Sequence, residues 1–223
     1  MIIHRLIPER HIKTLTDGFL HFSPCDRFVD QLEFRLGYCR DAFELGGDEA
    51  LAKCVRASFN NPEVERKIAN TSISCWSKHQ QERAFMWEVY GKCLPAILIV
   101  SENAALETHV RQIKGTDTTS AGPVRYHFFT SRIFPEFVAP PTNADLKVDF
   151  DLFFEKHGFY KYENEFRMVI AERGPVMIPV PEQLIQRVIL SPFGKLQPDN
   201  LSLLQKEFGD RVVPSSIKLL YGG

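Results

Sequence analysis

The run Leu94-Pro-Ala-Ile-Leu-Ile-Val100 is the longest uninterrupted apolar stretch of the chain. It is far too short to cross a bilayer, which takes about 20 apolar residues in a helix. A short run of this kind reads as a buried strand, here over Pro95–Ser101. The flanking sequence supplies both helices and further strands. Ile2 to Ile7 reads as a strand closed by Pro8, and Phe19 to Ser23 as a second extended piece. From about Arg27 to Ala69 apolar residues such as Phe28, Leu32 and Phe43 recur at helical spacing; Gly46-Gly47 breaks the run and Pro62 opens a further helix.

After Asn70 the texture changes. Strands are expected over Thr71–Trp76, Val124–Thr130, Glu165–Ala171, Val176–Val180, Val188–Leu190 and Ile217–Leu220, with Gly174-Pro175 turning one strand into its partner. Helices are expected over Glu82–Tyr90, Glu102–Ile113, Asp145–Lys156 and Asp199–Phe208, and the prolines of Phe134–Asn143 mark a long loop. Helices concentrate in the first third and strands in the rest. That order favours an α+β fold with a helical N-terminal third over a doubly wound sheet. The absence of G-x-G-x-x-G and G-x-x-x-x-G-K motifs points the same way. With 223 residues and no repeat or Gly/Ser linker, the chain reads as one domain, 1–223, with a helical insertion at about 27–70.

The net charge of −1 gives no field that would draw the whole molecule to nucleic acid or to anionic lipid. Five cysteines without a C-x-x-C pair argue against a disulfide framework or a zinc site, and the histidines show no metal-ligand spacing. No metal is expected. The start Met1-Ile-Ile-His-Arg5 lacks the apolar core of a signal peptide, so a cytoplasmic protein without a membrane partner is expected.

Three places can carry chemistry. In Tyr160-Lys-Tyr-Glu-Asn-Glu-Phe-Arg167, a strand entered near Glu163 would put Glu163 and Glu165 on one face. Two adjacent carboxylates suit one group that binds substrate and one that acts as a base. They also suit a solvated edge with Arg167 as partner. In Thr71-Ser-Ile-Ser-Cys-Trp-Ser77, alternation places Ser72, Ser74 and Trp76 on one face, where small hydroxyls leave room for a ligand; a half-exposed strand is the plainer reading. His4 and Arg5 point to opposite faces of the first strand, and an Arg fork matches the paired oxygens of a diphosphate.

Phe22-Ser23 with Asp30 and Glu33, Ser74-Cys-Trp-Ser77 followed by Met86-Trp-Glu-Val-Tyr90, and Lys156 with Tyr162-Glu-Asn-Glu-Phe-Arg167 resemble a bacterial family known only as a domain of unknown function. The motif order (an Arg on the first strand, a Ser-x-Ser strand, then Glu-x-Glu entering a later strand) also resembles the Arg–Ser–Glu class of ADP-ribosyltransferases. That resemblance implies a split β-sandwich with NAD in its cleft. It implies that Arg5 holds the NAD phosphates, with His4 as the competitor, and that Ser72, Ser74 and Trp76 line the nicotinamide–ribose site. Glu165 would be the catalytic carboxylate at the ribose 2′-hydroxyl, Glu163 would engage the acceptor, and His157 to Tyr162 would present the target. The implied activity is cleavage of NAD with transfer of ADP-ribose to a protein, an arginine above all, or to nucleic acid, in the setting of a toxin or phage-defence factor. A non-catalytic module that binds a nucleotide or a protein on the same fold is the alternative.

Overall fold

The computed structural model describes residues 1–28, 33–35, 39, 49, 52–127 and 150–217. Its strands are β1 (Ile2–Pro8), β2 (Phe19–Pro24), β3 (Ser72–Ser77), β4 (Ala96–Glu102), β5 (Thr119–Pro123), β6 (Arg125–His127), β7 (Glu155–His157), β8 (Glu165–Ile170), β9 (Val176–Pro179), β10 (Ile185–Leu190) and β11 (Val212–Pro214). The helices used below are α1 (Ile12–Thr16), α2 (Pro62–Ala69), α3 (Asn103–Lys114) and α4 (Pro198–Phe208). The chain is divided between two compact units. The first comprises Met1–His21, Cys75–Gly115 and Met177–Gly223; the second comprises Phe22–Ser74 and Thr116–Val176.

The first unit is built on the apolar run. Every residue from Ala96 to Ser101 in β4 is buried, as an unbroken row of branched side chains requires. β4 lies antiparallel between β1, in the register Ile2↔Glu102 to Pro8↔Ala96, and β10. β11 adds to β10 in parallel, which makes the sheet mixed. On β3, Ser77 meets His4 of β1. Met86, Trp87, Ala96, Leu98, Val100 and Ile189 form one core cluster, so the Met-Trp pair serves packing. Trp87 donates its indole N–H to Glu82 at 2.7 Å. α3 buries Leu106 and Val110 and ends at Gly115, whose φ of 91° suits a residue without Cβ. Pro198 opens α4 at a position where its missing N–H costs nothing.

In the second unit β8 is buried at every position. Its neighbours are β3 and β5, the latter antiparallel in the register Thr119↔Ile170 to Pro123↔Phe166. β2 meets β3 at Ser23↔Ile73 and Pro24↔Ser72, and β6 pairs with β7 in parallel. α2 is capped by Asn61, whose side-chain oxygen accepts from the Glu63 N–H at 2.9 Å, and it buries Val64 and Ile68.

Three expectations are corrected. The N-terminal third is not helical: it opens in β1, the short α1 and β2. Among the described residues beyond it, 52–59 and α2 are helical. Phe34, however, has a φ of 70°, which the interior of a helix does not admit, so no single helix runs through that position. The described part of the helix expected over Asp145–Lys156 is a 3-10 turn, Phe150–Phe154, running into β7. The Glu165–Ala171 strand does not form a hairpin with Val176–Val180, because β8 has β3 and β5 at its sides. Asp30, Leu32, Phe43, Gly46-Gly47, the Phe134–Asn143 loop and all but the first residue of the Ile217–Leu220 strand lie outside the described residues.

Candidate functional site

The second unit gathers five charged side chains around the start of β8. Alternation along β7 turns Glu155 and Lys156 to opposite sides. Glu155 is 1% exposed and takes Arg125 and His127 as partners. Lys156 reaches Glu163 at 2.7 Å, Glu165 at 3.4 Å and Glu33 at 3.7 Å, and lies over the Tyr160 ring at 4.6 Å. Between β7 and β8 the chain makes a 3-10 turn over Gly158–Glu163, started by His157, whose Nδ1 accepts from the Phe159 N–H at 3.1 Å. The turn ends at Asn164 in the left-handed region, φ 45° and ψ 53°, a conformation that asparagine tolerates better than most residues.

Period two then sets Glu165 and Arg167 in one row of β8. Arg167 is fully buried and forks onto Glu165, with Nε at 3.0 Å from Oε1 and Nη2 at 2.9 Å from Oε2. Its Nη1 donates to the Phe153 carbonyl at 2.8 Å, and Nη2 also donates to Glu33. The Glu165 N–H donates to the Tyr126 hydroxyl at 2.8 Å.

Three carboxylates, Glu33, Glu163 and Glu165, thus face two cations in a place where each carboxylate residue is less than a tenth exposed. Charges so poorly hydrated persist only if they compensate one another. Lys156 shows that they do. Burial pulls its ammonium down, but Glu165, Glu33 and Glu163 outweigh burial and Arg167, and its pKa stands above the ordinary lysine value. The Tyr126 phenol is pushed up, first by burial and then by the charges of Glu165 and Glu163. The cluster has one more negative charge than positive when all five groups are ionised. Among the described residues no group of His, Cys, Asp or Glu is arranged to hold a metal ion.

Glu163 and Glu165 are brought together as the sequence suggests, but by a different device. The strand begins at Glu165, not before it, and the left-handed Asn164 would upset a simple alternation. The shared contact to Lys156 is what joins the two carboxylates. Arg167 is the expected partner, in a buried cluster rather than on a solvated edge. Ser72 and Ser74 are wholly buried on β3 beside β8; the Ser72 hydroxyl is directed at the Gly174 carbonyl and lies 3.2 Å from that of Glu172. Neither face of β3 is a half-exposed one.

Arg5 and Trp76 belong to the first unit. Trp76 is 2% exposed, with the Arg5 guanidinium 5.9 Å from its ring centroid. Of the two first-strand candidates, Arg5 lines a cavity, whereas His4 is buried and has no hydrogen-bond partner for Nδ1 among the described residues. Sequence reasoning assigned no role to Lys156, Glu33 or Tyr126. Glu33 and Lys156 stand in the sequence only among the residues that carry the family resemblance, and nothing local marks Tyr126. Among the described residues no helix is long and apolar enough to cross a membrane. Compared with family models, with characterised proteins and with solved structures, the chain matches none of them.

Proposed function

We propose that the chain is an ADP-ribosyltransferase-like protein that takes NAD as its substrate and breaks the nicotinamide–ribose bond, with Glu165 at the ribose and Glu163 at the acceptor. The observation that carries this reading is the pair of glutamates at the start of β8 that share the Lys156 amine, one of them also taking Arg167. Departure of nicotinamide leaves positive charge on the ribose, and a carboxylate fixed before the reaction stabilises it without reorganisation. Arg167 and Lys156 supply that fixing for Glu165. Nicotinamide leaves as a neutral group, so no general acid is required. The neighbouring β3 carries Ser72 and Ser74, which are wholly buried, so in this reading they back the start of β8 rather than touch the sugar. A protein arginine is the proposed acceptor, because a carboxylate at Glu163 can orient a guanidinium; nucleic acid is the other class to offer in the assay.

A second reading is favoured by one observation: Arg167 is wholly buried and engages Glu33 and Glu165 together. In that reading the cluster is an internal ion network, and the protein is a non-catalytic module that binds a nucleotide or a protein. Incubation with NAD labelled in the adenosine and in the nicotinamide separates the two. Nicotinamide release with label transfer supports the enzyme; no release with any protein or nucleic-acid acceptor leaves the module.

A further inference from the structure

The second unit brings two thiols together that the proposed chemistry does not use. Cys39 is buried, and Cys54 stands half-buried on the helical stretch 52–59. The two side chains are hydrogen-bonded to each other. Arg35 donates from Nη1 to the Ser58 carbonyl at 3.0 Å, and its guanidinium lies 3.9 Å from the centroid of the Phe59 ring. Its Nη2 reaches Glu65 on α2 at 2.5 Å. Cys54 and Ser58 are about one helical turn apart, so they share a face of the stretch 52–59. The two contacts run antiparallel, 35 to 58 and 39 to 54. Arg35 fixes one end of this pairing, and the thiols meet at the other.

Two thiols in contact can do what a single buried one cannot. The hydrogen bond to Cys54 and burial push the pKa of the Cys39 thiol up, against the pull of the Arg35 guanidinium. Cys39 is therefore a neutral thiol at pH 7 and a poor nucleophile toward reagents in solution. Cys54 is the more exposed of the two, so a reagent reaches it first. A mixed disulfide at Cys54 then places an electrophilic sulfur against Cys39. Closure to the length of an S–S bond, about 2 Å, is a short movement from hydrogen-bond contact. Spacing alone does not reveal the pair, because it is made by a helix face and not by a C-x-x-C motif.

We infer that Cys39 and Cys54 are a reversible redox pair, which a small-molecule disulfide of the glutathione class closes and a thiol reductant reopens. The Cys54 thiolate attacks one sulfur of oxidised glutathione and expels one glutathione thiolate. Cys39 then gives up its proton, attacks the Cys54 sulfur and expels the second. The pair loses two electrons and two protons, and one oxidised glutathione becomes two reduced ones. The bond ties the chain at Cys39 to the helical stretch that Arg35 already grips. The pair lies within the second unit and does not rest on the NAD-cleaving reading.

The test equilibrates the full chain at graded ratios of oxidised to reduced glutathione, alkylates the remaining thiols and maps the peptides by mass spectrometry. The expected result is a Cys39–Cys54 cross-linked peptide that forms in the folded protein and disappears with dithiothreitol. The exposed Cys93 is the internal control and takes up glutathione as a mixed disulfide. The cross-link should be favoured about tenfold or more over the same chain in urea, because the fold already holds the two sulfurs together. The cross-linked protein should melt about 5 °C or more above the reduced one. Cys39→Ser should leave Cys54 carrying glutathione. Cys39 and Cys54 reduced at every ratio at which Cys93 is modified overturn the inference. So does a cross-link no more favoured in the folded chain than in urea, and so does a cross-linked form that melts no higher than the reduced one. These readings use the unaltered chain, so they decide the matter even where Cys39→Ser does not fold.

Discussion

At the scale of single residues, Glu163 and Glu165 look alike in sequence and differ in their partners. Glu165 takes both prongs of Arg167 and the Lys156 amine, whereas Glu163 takes the amine at 2.7 Å. Glu165→Gln is therefore expected to lower nicotinamide release by about a hundredfold or more, since it removes charge opposite a developing cation. Glu163→Gln should reduce transfer to the acceptor while hydrolysis of NAD by water survives. Product analysis with labelled NAD reads both; equal loss of both activities in both variants would show that the pair acts as one group. The burial of the cluster adds a condition that an open strand face would not impose. A glutamine at 165 turns an amide N–H₂ toward Arg167 or Lys156, so the variant should melt earlier and must be assayed below its Tm. Glu33→Gln is the control: it disturbs Arg167 and Lys156 as well, yet should retain nicotinamide release. The grouping of the two glutamates was legible as a spacing, but its cause was not. Lys156 and Glu33 enter through the fold, and no window of sequence contains all three carboxylates.

At the scale of elements, the strongly patterned segments were legible and the weakly patterned ones were not. The apolar run gave β4, and the amphipathic stretches gave α3 and α4, because burial and periodicity both favour one state there. β5 reads Thr-Ser-Ala-Gly-Pro, a sequence of low strand preference; it is a strand because its backbone completes the ladder of β8. The segment around Met86–Tyr90 was expected as an ordinary helix and instead winds wider, as a π-turn closed by Gly91. The reason for that glycine is steric. A Cβ on Gly91 would sit 2.5 Å from the Trp87 carbonyl oxygen and 3.2 Å from Leu6 Cδ1. Gly91→Ala should thus destabilise the first unit by about 1–3 kcal/mol, with the backbone of the Trp87 turn forced to move. Urea unfolding followed by Trp fluorescence measures this, and a variant as stable as the wild type would show that the turn yields freely.

At the scale of the whole molecule, acid should weaken the fold through a residue that sequence reasoning weighed only as a ligand. His4 is buried, and desolvation lowers its pKa below the ordinary 6.5, more than the His79 carbonyl and Glu82 restore; His79 and Arg187 add to the lowering. The unfolded chain then binds this proton more readily than the folded one. Stability is fully present above pH 6.5 and is lost as pH falls toward the folded-state value, and the lowered pKa of His11 acts in the same direction. Tm is expected to be level above neutral pH and to fall below it, with a shallower fall in His4→Leu; calorimetry across pH 5 to 8 checks this. The buried ion cluster bears on the route to the fold rather than on its endpoint. Glu33 and Arg167 are 134 positions apart, and their contact waits for a very long loop to close. Contacts close in sequence, such as the turns of α3 and the Asn61 cap of α2, need no such closure, so the Glu33–Arg167 pair should be absent from the rate-limiting step. Glu33→Gln should then quicken unfolding and leave the refolding rate unchanged in stopped-flow traces. Read this way, the pair is a latch: it sets how long the finished molecule lasts, and has no part in how quickly it is made.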